Sequence, residues 1–278
     1  MDKNELSVVI VTFKSEDKIY KCLDSIPNNL KIFVIENSNN SKFKSQIENI
    51  YSNVKCILTG SNIGYAKANN IGLKMVTTKF ALILNPDTKL EKNSIEKFFD
   101  FVKKKQNFWL VGPTNNQIKN TLFDDSEEIT EVENLKGFGI FFNMEKFNQN
   151  FFDENFFLYF EEIDLCKNVI AKGGKIYLDK NIIINHDGAS SVKTSEKIEL
   201  EKSRNWHWMW STFYFHKKHK GFLISLILTF PKLLSSIIRS IFYQITRDKE
   251  KRDIYLSRLS GLFNSIIGKK SWYRPSLD

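Results

Sequence analysis

The sequence predicts an α/β fold that begins on a parallel sheet and ends in a helical extension of different character. Three observations predict it. Short β-branched apolar runs alternate with helix-length segments over residues 6–84, acidic residues stand just behind two of those runs, and the net positive charge lies beyond residue 200.

Taken in order, Leu6–Phe13, Lys31–Ile35, Val54–Leu58 and Phe80–Leu84 are short runs of Val, Ile, Leu and Phe ended by polar residues, the pattern of buried strands. Between them Glu16–Ile26, the stretch near Phe43–Tyr51 and Gly64–Val76 are each long enough for a crossover helix, which makes successive strands parallel. Phe138–Asn143 reads as a further strand and Glu161–Lys172 as a helix closed by Gly173-Gly174. Lys175–Leu178 and Ile182–Asn185 read as two short strands leading to His186.

After about residue 200 the character changes. Arg204–Phe215 is densely aromatic, and Phe222–Phe230 is an apolar run that Pro231 is expected to stop. Leu233 to Ile245 and Ile254 to Ile267 then carry apolar residues near helical period, with Lys, Arg and Ser between them. Neither stripe is expected to span a bilayer, which takes roughly 20 mostly apolar residues. The division expected is a catalytic domain over 1–200 and a basic, aromatic, amphipathic helical region over 201–278.

Charge and cysteine content narrow the function. Residues 201–278 hold 15 Lys/Arg against 5 Asp/Glu, a net +10, and residues 1–200 hold 26 against 27, a net −1. A basic stripe for nucleic acid is therefore not expected on the catalytic part, and no nucleic-acid partner is expected. A membrane surface is the partner expected for the basic tail, with simple packing on the catalytic domain as the alternative. Cys22, Cys56 and Cys166 are odd in number and far apart, unlike a disulfide framework or a Cys-type zinc site. The apolar run Val8–Val11 is too short for the core of a signal peptide, so a cytoplasmic protein is expected, peripheral at the inner face of the membrane.

Ligands of a parallel α/β sheet bind beyond the carboxyl ends of its strands. There the sequence puts Thr12 and Phe13 after the first strand, Glu36 after the second and Asn85-Pro86-Asp87 after the fourth. Asp87 is either a turn residue or a ligand for a hard cation such as Mg²⁺ or Mn²⁺. Asn62 to Asn70 places Gly64 at a helix start, which is loop geometry or a cradle of free N–H groups for a phosphate. Phe151–Cys166 crowds Glu161, Glu162 and Asp164 beside aromatic residues. Such carboxylates raise one another's pKa and suit a general base, although acidic residues also favour the first turn of any helix. His186, at a strand end, is a structural hydrogen-bonder or a neutral metal ligand.

In this order the stretches SVVIVTFKSEDKIYKCLDSI, VIENSN, NIGYAKANNIGL, LILNPDTKL, FFDENFFLYFEEIDLCKNVIAKGGKIY and NHDGASS resemble the family 2 glycosyltransferases of the GT-A fold, and among them the bacterial rhamnosyltransferase-like branch. The resemblance runs from Leu6 to His219. It implies a Rossmann-like mixed sheet flanked by helices. It implies Thr12, Phe13, Glu36, Asn62, Gly64, Asn69 and Asn85 as donor-binding residues, Asp87 and His186 as ligands of Mg²⁺ or Mn²⁺, and Glu162 or Asp164 as the catalytic base. Glu36 and Glu162 stand where the family usually has Asp, and the first acid of its DXD motif is Asn85 here. The implied reaction is an inverting transfer of a sugar, rhamnose favoured, from a nucleoside diphosphate carrier (dTDP or UDP) to a glycan acceptor. The basic tail favours a lipid-linked glycan. Two other classes remain: a nucleotidyltransferase that makes sugar nucleotides, against which Thr12-Phe13-Lys14-Ser15-Glu16 lacks a Gly-rich phosphate loop, and a non-catalytic binding module.

Overall fold

The computed structural model describes residues 5–115, 128–186 and 194–275, the first three residues of the last segment by their backbone alone. The chain divides into two compact units, Met1–Asp153 with Glu162–Gly188, and Glu154–Glu161 with Ala189–Asp278.

The first unit is a mixed sheet with helices α1 (Glu16–Asp24), α2 (Ser41–Ile50), α3 (Tyr65–Met75), α4 (Ser94–Lys104) and α5 (Glu161–Ala171). Strands β1 (Leu6–Thr12), β2 (Lys31–Glu36), β3 (Val54–Leu58) and β4 (Phe80–Leu84) fall where the apolar runs predict and pair in parallel in the order β3-β2-β1-β4. Their central side chains are buried because helices cover the sheet, which is why their sequences run apolar without alternation. Beyond β4 the sheet turns mixed. β8 (Gly139–Asn143) pairs antiparallel with β4 and with β6 (Leu110–Thr114), and β9 (Ile176–His186) runs parallel to β6. Two three-residue strands, β5 (Thr88–Leu90) and β7 (Ile129–Glu131), pair antiparallel with β9.

Where two short strands are expected after Gly174, the structure has the single strand β9, bent by a register shift that follows the pairing of Pro113 with Asp179. That bend carries the strand's end from β6 to β5 and sets His186 opposite Thr88. Strands β5 and β7 are too short to give a periodic signal. Helix α4 does give one, Ile95, Phe98, Phe99 and Val102 all being buried, but it is not among the elements expected from sequence.

Two glycines fix the helix geometry near the ligand edge. Gly64 sits at φ 89°, a conformation open to glycine at little cost, and this lets α3 start immediately after the loop that follows β3. Gly72, inside α3, lies so near β1 that an added Cβ would be 2.3 Å from Val9 Cγ1.

The second unit holds α6 (Thr194–Lys220), α7 (Phe222–Ile245) and α8 (Lys249–Ile266), each packed on the other two. It begins before the expected boundary at residue 200 and takes in Glu154–Glu161. Pro231 does not end the apolar run. It lies inside α7, which continues for 24 residues and is, by length and composition, sufficient to cross a membrane. The proline removes one N–H from the ladder without breaking it. For the first stripe the expectation of a segment too short to span is thereby corrected; α8, which carries the second, is not long and apolar enough.

Candidate active site

Asp87 and His186 are 99 residues apart in sequence and meet at the ligand edge of the sheet, Asp87 Oδ1 lying 3.2 Å from His186 Nε2. The bend in β9 and its pairing with β5 bring them together. Phe138 stacks on the His186 ring at 5.3 Å between centroids and 12° between planes, which fixes the imidazole's orientation. Burial pushes the Asp87 carboxyl up, but the hydrogen bond and charge of His186 outweigh it, and the net effect holds Asp87 below the ordinary carboxylate value.

The Asn85 side of the turn is tied to the same place. Asn85 N–H donates to Phe138 O at 3.0 Å, and Tyr65 Oη, from the first turn of α3, bonds Asn85 Oδ1 at 3.0 Å and Gly137 O at 2.9 Å. Tyr65 thus joins the glycine-led helix, the Asn-Pro-Asp turn and the Gly137-Phe138 segment through one hydroxyl.

Glu162 stands on the other side of Gly137, where a Cβ added to the glycine would sit 3.6 Å from Glu162 Cγ. Its Oε2 is buried and accepts no hydrogen bond among the described residues. Burial raises its pKa, partly offset by its own backbone N–H, by the charge of Lys136 and by the Ile163 N–H at the start of α5. Asp164 behaves differently. It is 0% exposed, and its Oδ2 accepts from Asn168 Nδ2 one turn along at 2.9 Å. Of the two acids, Glu162 alone has the partial exposure a base requires.

The residues just before α5 are strained. Tyr159 and Phe160 take φ of 70° and 69°, a region that costs a non-glycine residue on the order of 1–3 kcal/mol. Within the helical unit Leu158 O accepts from Ser211 Oγ at 2.9 Å, and the Phe160 ring lies 5.2 Å from that of Phe215. These contacts hold the turn.

The donor-side residues assemble around Asn37, which follows Glu36 in the VIENSN stretch and was given no separate role from sequence. Its Nδ2 donates to Asn62 Oδ1 at 3.0 Å, and its Oδ1 accepts from Ile63 N–H and Thr59 Oγ1, both at 3.0 Å. Asn62 Oδ1 also accepts from Gly64 N–H at 3.1 Å, so the loop before α3 is set by two asparagines. Thr12 pairs with Glu36 across β1 and β2, and Phe13 follows half-buried.

Two expected donor ligands face inward. Glu36 is 1% exposed, and its carboxylate accepts from Asn40 N–H at 2.6 Å, from Ser38 N–H at 2.9 Å and from the Ser38 hydroxyl. These bonds shape the loop after β2. Asn69 donates to Tyr65 O in its own helix at 3.0 Å. Its neighbour Asn70 makes two bonds to the backbone of Phe152, at 2.9 and 3.0 Å, and pins the chain a few residues before α5.

The Asp87–His186 pair suits a hard divalent cation. The two side chains hydrogen-bond each other at 3.2 Å, so both could reach one ion placed at this edge. Among the described residues no group of three or more His, Cys, Asp or Glu converges, so the set is small. That is normal for an ion whose other ligands are water and substrate phosphates. Asp187 and Gly188, which follow His186 in the resembling motif, lie outside the described residues.

The sequence matches Glycosyl transferase family 2 over residues 7–166. It is 24% identical over 189 residues to the low-salt glycan biosynthesis hexosyltransferase Agl10 of Haloferax volcanii, a match covering 59% of this chain and 61% of that protein. It is 25% identical over 223 residues to a dolichyl N-acetyl-α-D-glucosaminyl phosphate 3-β-D-2,3-diacetamido-2,3-dideoxy-β-D-glucuronosyltransferase of Methanococcus voltae, covering 68% of this chain and 69% of that one. Among solved structures, the mannosyltransferase PcManGT of Pyrobaculum calidifontis, in complex with GDP-Man and Mn²⁺, aligns over 96% of this chain and 88% of its own. Its TM-score is 0.59 at 11% identity, so it speaks for the fold alone, which is GT-A.

Proposed function

The chain belongs to glycosyl transferase family 2, and from that premise we propose that it is an inverting hexosyltransferase, with Glu162 as its base and Asp87 and His186 as its metal ligands. The observation that supports the reading is the link from Asp87–His186 through Phe138 and Gly137 to Glu162 Oε2, which accepts no hydrogen bond among the described residues. The Asp87–His186 pair and the Glu162 carboxyl thus both adjoin one short segment.

In the proposed reaction Glu162 takes the proton of an acceptor hydroxyl, and that oxygen attacks the anomeric carbon of the donor sugar. The bond from that carbon to the diphosphate breaks, and the nucleoside diphosphate leaves with the electron pair. Asp87 and His186 would hold Mg²⁺ or Mn²⁺, which would supply positive charge against the leaving group. Thr12, Phe13, Asn62, Gly64 and Asn85 line the donor side, and Glu36 and Asn69 act by holding the loop and helix that present them. Asp164 keeps α5 in place.

The resemblance to rhamnosyltransferases favours rhamnose carried on dTDP, with UDP as the other carrier. The acceptor proposed is a lipid-linked glycan. The dolichyl-linked phosphate in the name of the Methanococcus enzyme supports it, as does the net +10 of residues 201–278. The helical unit is accordingly read as a membrane contact, with the catalytic unit at the inner face.

A panel of nucleotide sugars with and without a lipid-linked acceptor tests the reading. Acceptor-dependent release of nucleoside diphosphate is expected, strongest with dTDP-rhamnose. Pyrophosphate release would mean a nucleotidyltransferase, and no release a binding module. Asp87→Ala is expected to remove the metal dependence of donor binding, measured by titration with and without Mn²⁺.

A further inference from the structure

Helix α7 has its polarity reversed. Its buried residues are Ser225, Thr229, Ser236 and Ser240, and each hydroxyl donates to the helix's own backbone, at 2.7 to 2.8 Å. Most of its large apolar residues face out, Leu223, Ile227 and Ile245 being more than 70% exposed, while Leu226 and Leu233 pack on the core of the unit. On a 100° wheel the exposed apolar residues fill about half the circumference, along a helix about 36 Å long. No charge interrupts that face. The two charged residues of α7 turn toward its neighbours, Lys232 lying 4.7 Å above the Trp208 ring and Arg239 bonding Tyr255 Oη at 2.6 Å. A continuous apolar area of this extent does not stand in water without a partner.

We propose that α7 lies flat in one leaflet of an anionic membrane, its outer half among the acyl chains and its Ser/Thr side against α6 and α8. Length and composition alone would let α7 cross the bilayer. Its neighbours decide otherwise. Helix α8 packs beside it, with Arg252 Nη1 bonding Gln244 Oε1 at 3.0 Å and Tyr255 stacked on Tyr243 at 5.7 Å. The same helix carries Lys249, Glu250, Lys251, Asp253 and Arg258. A spanning α7 would take these groups into hydrocarbon or tear the unit apart. An α7 in the interface leaves them in water.

Lipid also fits better than a second copy of the chain. A symmetric pair would set two tails of net +10 face to face, whereas an anionic surface attracts that charge. The proposal deepens the membrane half of the function and does not rest on the transfer chemistry.

The test reads depth in the full-length protein. Single cysteines at Leu223, Phe230, Ile238 and Ile245 would carry a fluorophore. The native Cys22, Cys56 and Cys166 are buried, with thiols pushed up to about 12, and stay unlabelled. Quenching is measured with spin-labelled lipids, shallow or deep, in vesicles of phosphatidylcholine and phosphatidylglycerol. Equal quenching at all four positions, strongest by the shallow label, is expected. Deep quenching at Phe230 and Ile238 with shallow quenching at the ends would mean a spanning helix and overturn the proposal. So would absence of quenching with a dimer in sedimentation. Ile227→Glu with Ile238→Glu, both exposed sites, is expected to lower vesicle partitioning roughly tenfold or more with an unchanged thermal melt. Unchanged partitioning would overturn it as well. Nucleoside diphosphate release by the same samples reports the transferase reading separately.

Discussion

In β1 to β4 the large apolar side chains are inside, and in α7 they are outside, with Ser and Thr in their place. The amino acids are the same ones, Ile, Leu and Phe, and only the direction they face differs. Water is the solvent that explains the first arrangement, because burying apolar surface there is favourable at about 25 cal/mol per Å². The same effect makes the second arrangement costly in water and neutral in lipid, where small residues let helices approach closely. The two units therefore hold together by different means. The catalytic unit rests on a large sheet core, and the helical unit on a small cluster around Met209, Phe213 and Leu262 together with close backbone contact, as at Gly261, where an added Cβ would be 2.2 Å from Trp206 O.

The largest effect expected lies in the catalytic unit. Glu162→Gln should lower the transfer rate about 10²- to 10⁴-fold while donor titration stays near wild type. Because burial raises the Glu162 pKa, the rate of the wild type should fall with acid at a pH above the ordinary 4.5 of a glutamate. Asp164→Asn should instead reduce thermal stability. A lost rate without lost stability in that variant would exchange the two roles.

The helical unit should be the acid-sensitive one. Buried His207 stacks on Phe157 at 4.3 Å and is held between Tyr273 O and Ser271 Oγ, each at 2.9 Å. A carbonyl only accepts, so Nε2 carries the proton and Nδ1 takes the serine's, a neutral ring. Burial lowers its pKa to about 3 from 6.5, so the unfolded chain binds the proton more readily. Stability is full above pH 6.5 and is lost as pH falls toward 3, by roughly 3–5 kcal/mol. Tryptophan fluorescence during denaturant unfolding measures this, since Trp206, Trp208, Trp210 and Trp272 are in the helical unit and Trp109 alone is in the other. His207→Gln should flatten the pH dependence.

The reversed polarity itself is open to a paired substitution. Ile10→Ala, in the sheet core, should cost about 2–5 kcal/mol, and Ile227→Ala on α7 should change stability in detergent-free buffer by about 0.5 kcal/mol or less. Equal costs would erase the contrast between the units. Gly261→Ala should cost about 1–3 kcal/mol from crowding α8 against α6, seen in the tryptophan signal and not in donor binding, which leaves Ile227→Ala as the smallest effect expected.

The parallel opening of the fold was legible because β1 to β4 are buried on both faces and their sequences are apolar from end to end. The later strands were harder. β5 and β7 have three residues each, and β9 is one bent strand whose middle, Asp179 to Asn181, is polar enough to look like a gap. Of the site, the candidates Asp87, His186 and Glu162 were visible as residue types in order. The roles of Tyr65, Asn37 and Asn70, all within stretches singled out, were not, because each works through hydrogen bonds to groups 20 to 82 positions away. The inward turn of Glu36 and Asn69 was hidden for a similar reason, since a polar residue at a ligand edge reads alike whether it faces a ligand or its own backbone.

By itself the sequence determined which residues form the sheet's parallel half, where the charge lies and which side chains are candidates for the chemistry. These are local properties of composition and period. Only the tertiary structure decided that Asp87 meets His186, that Glu162 and not Asp164 reaches the surface, and that Pro231 leaves α7 whole. Each of those depends on what packs against the residue, and neighbours distant in sequence supply that.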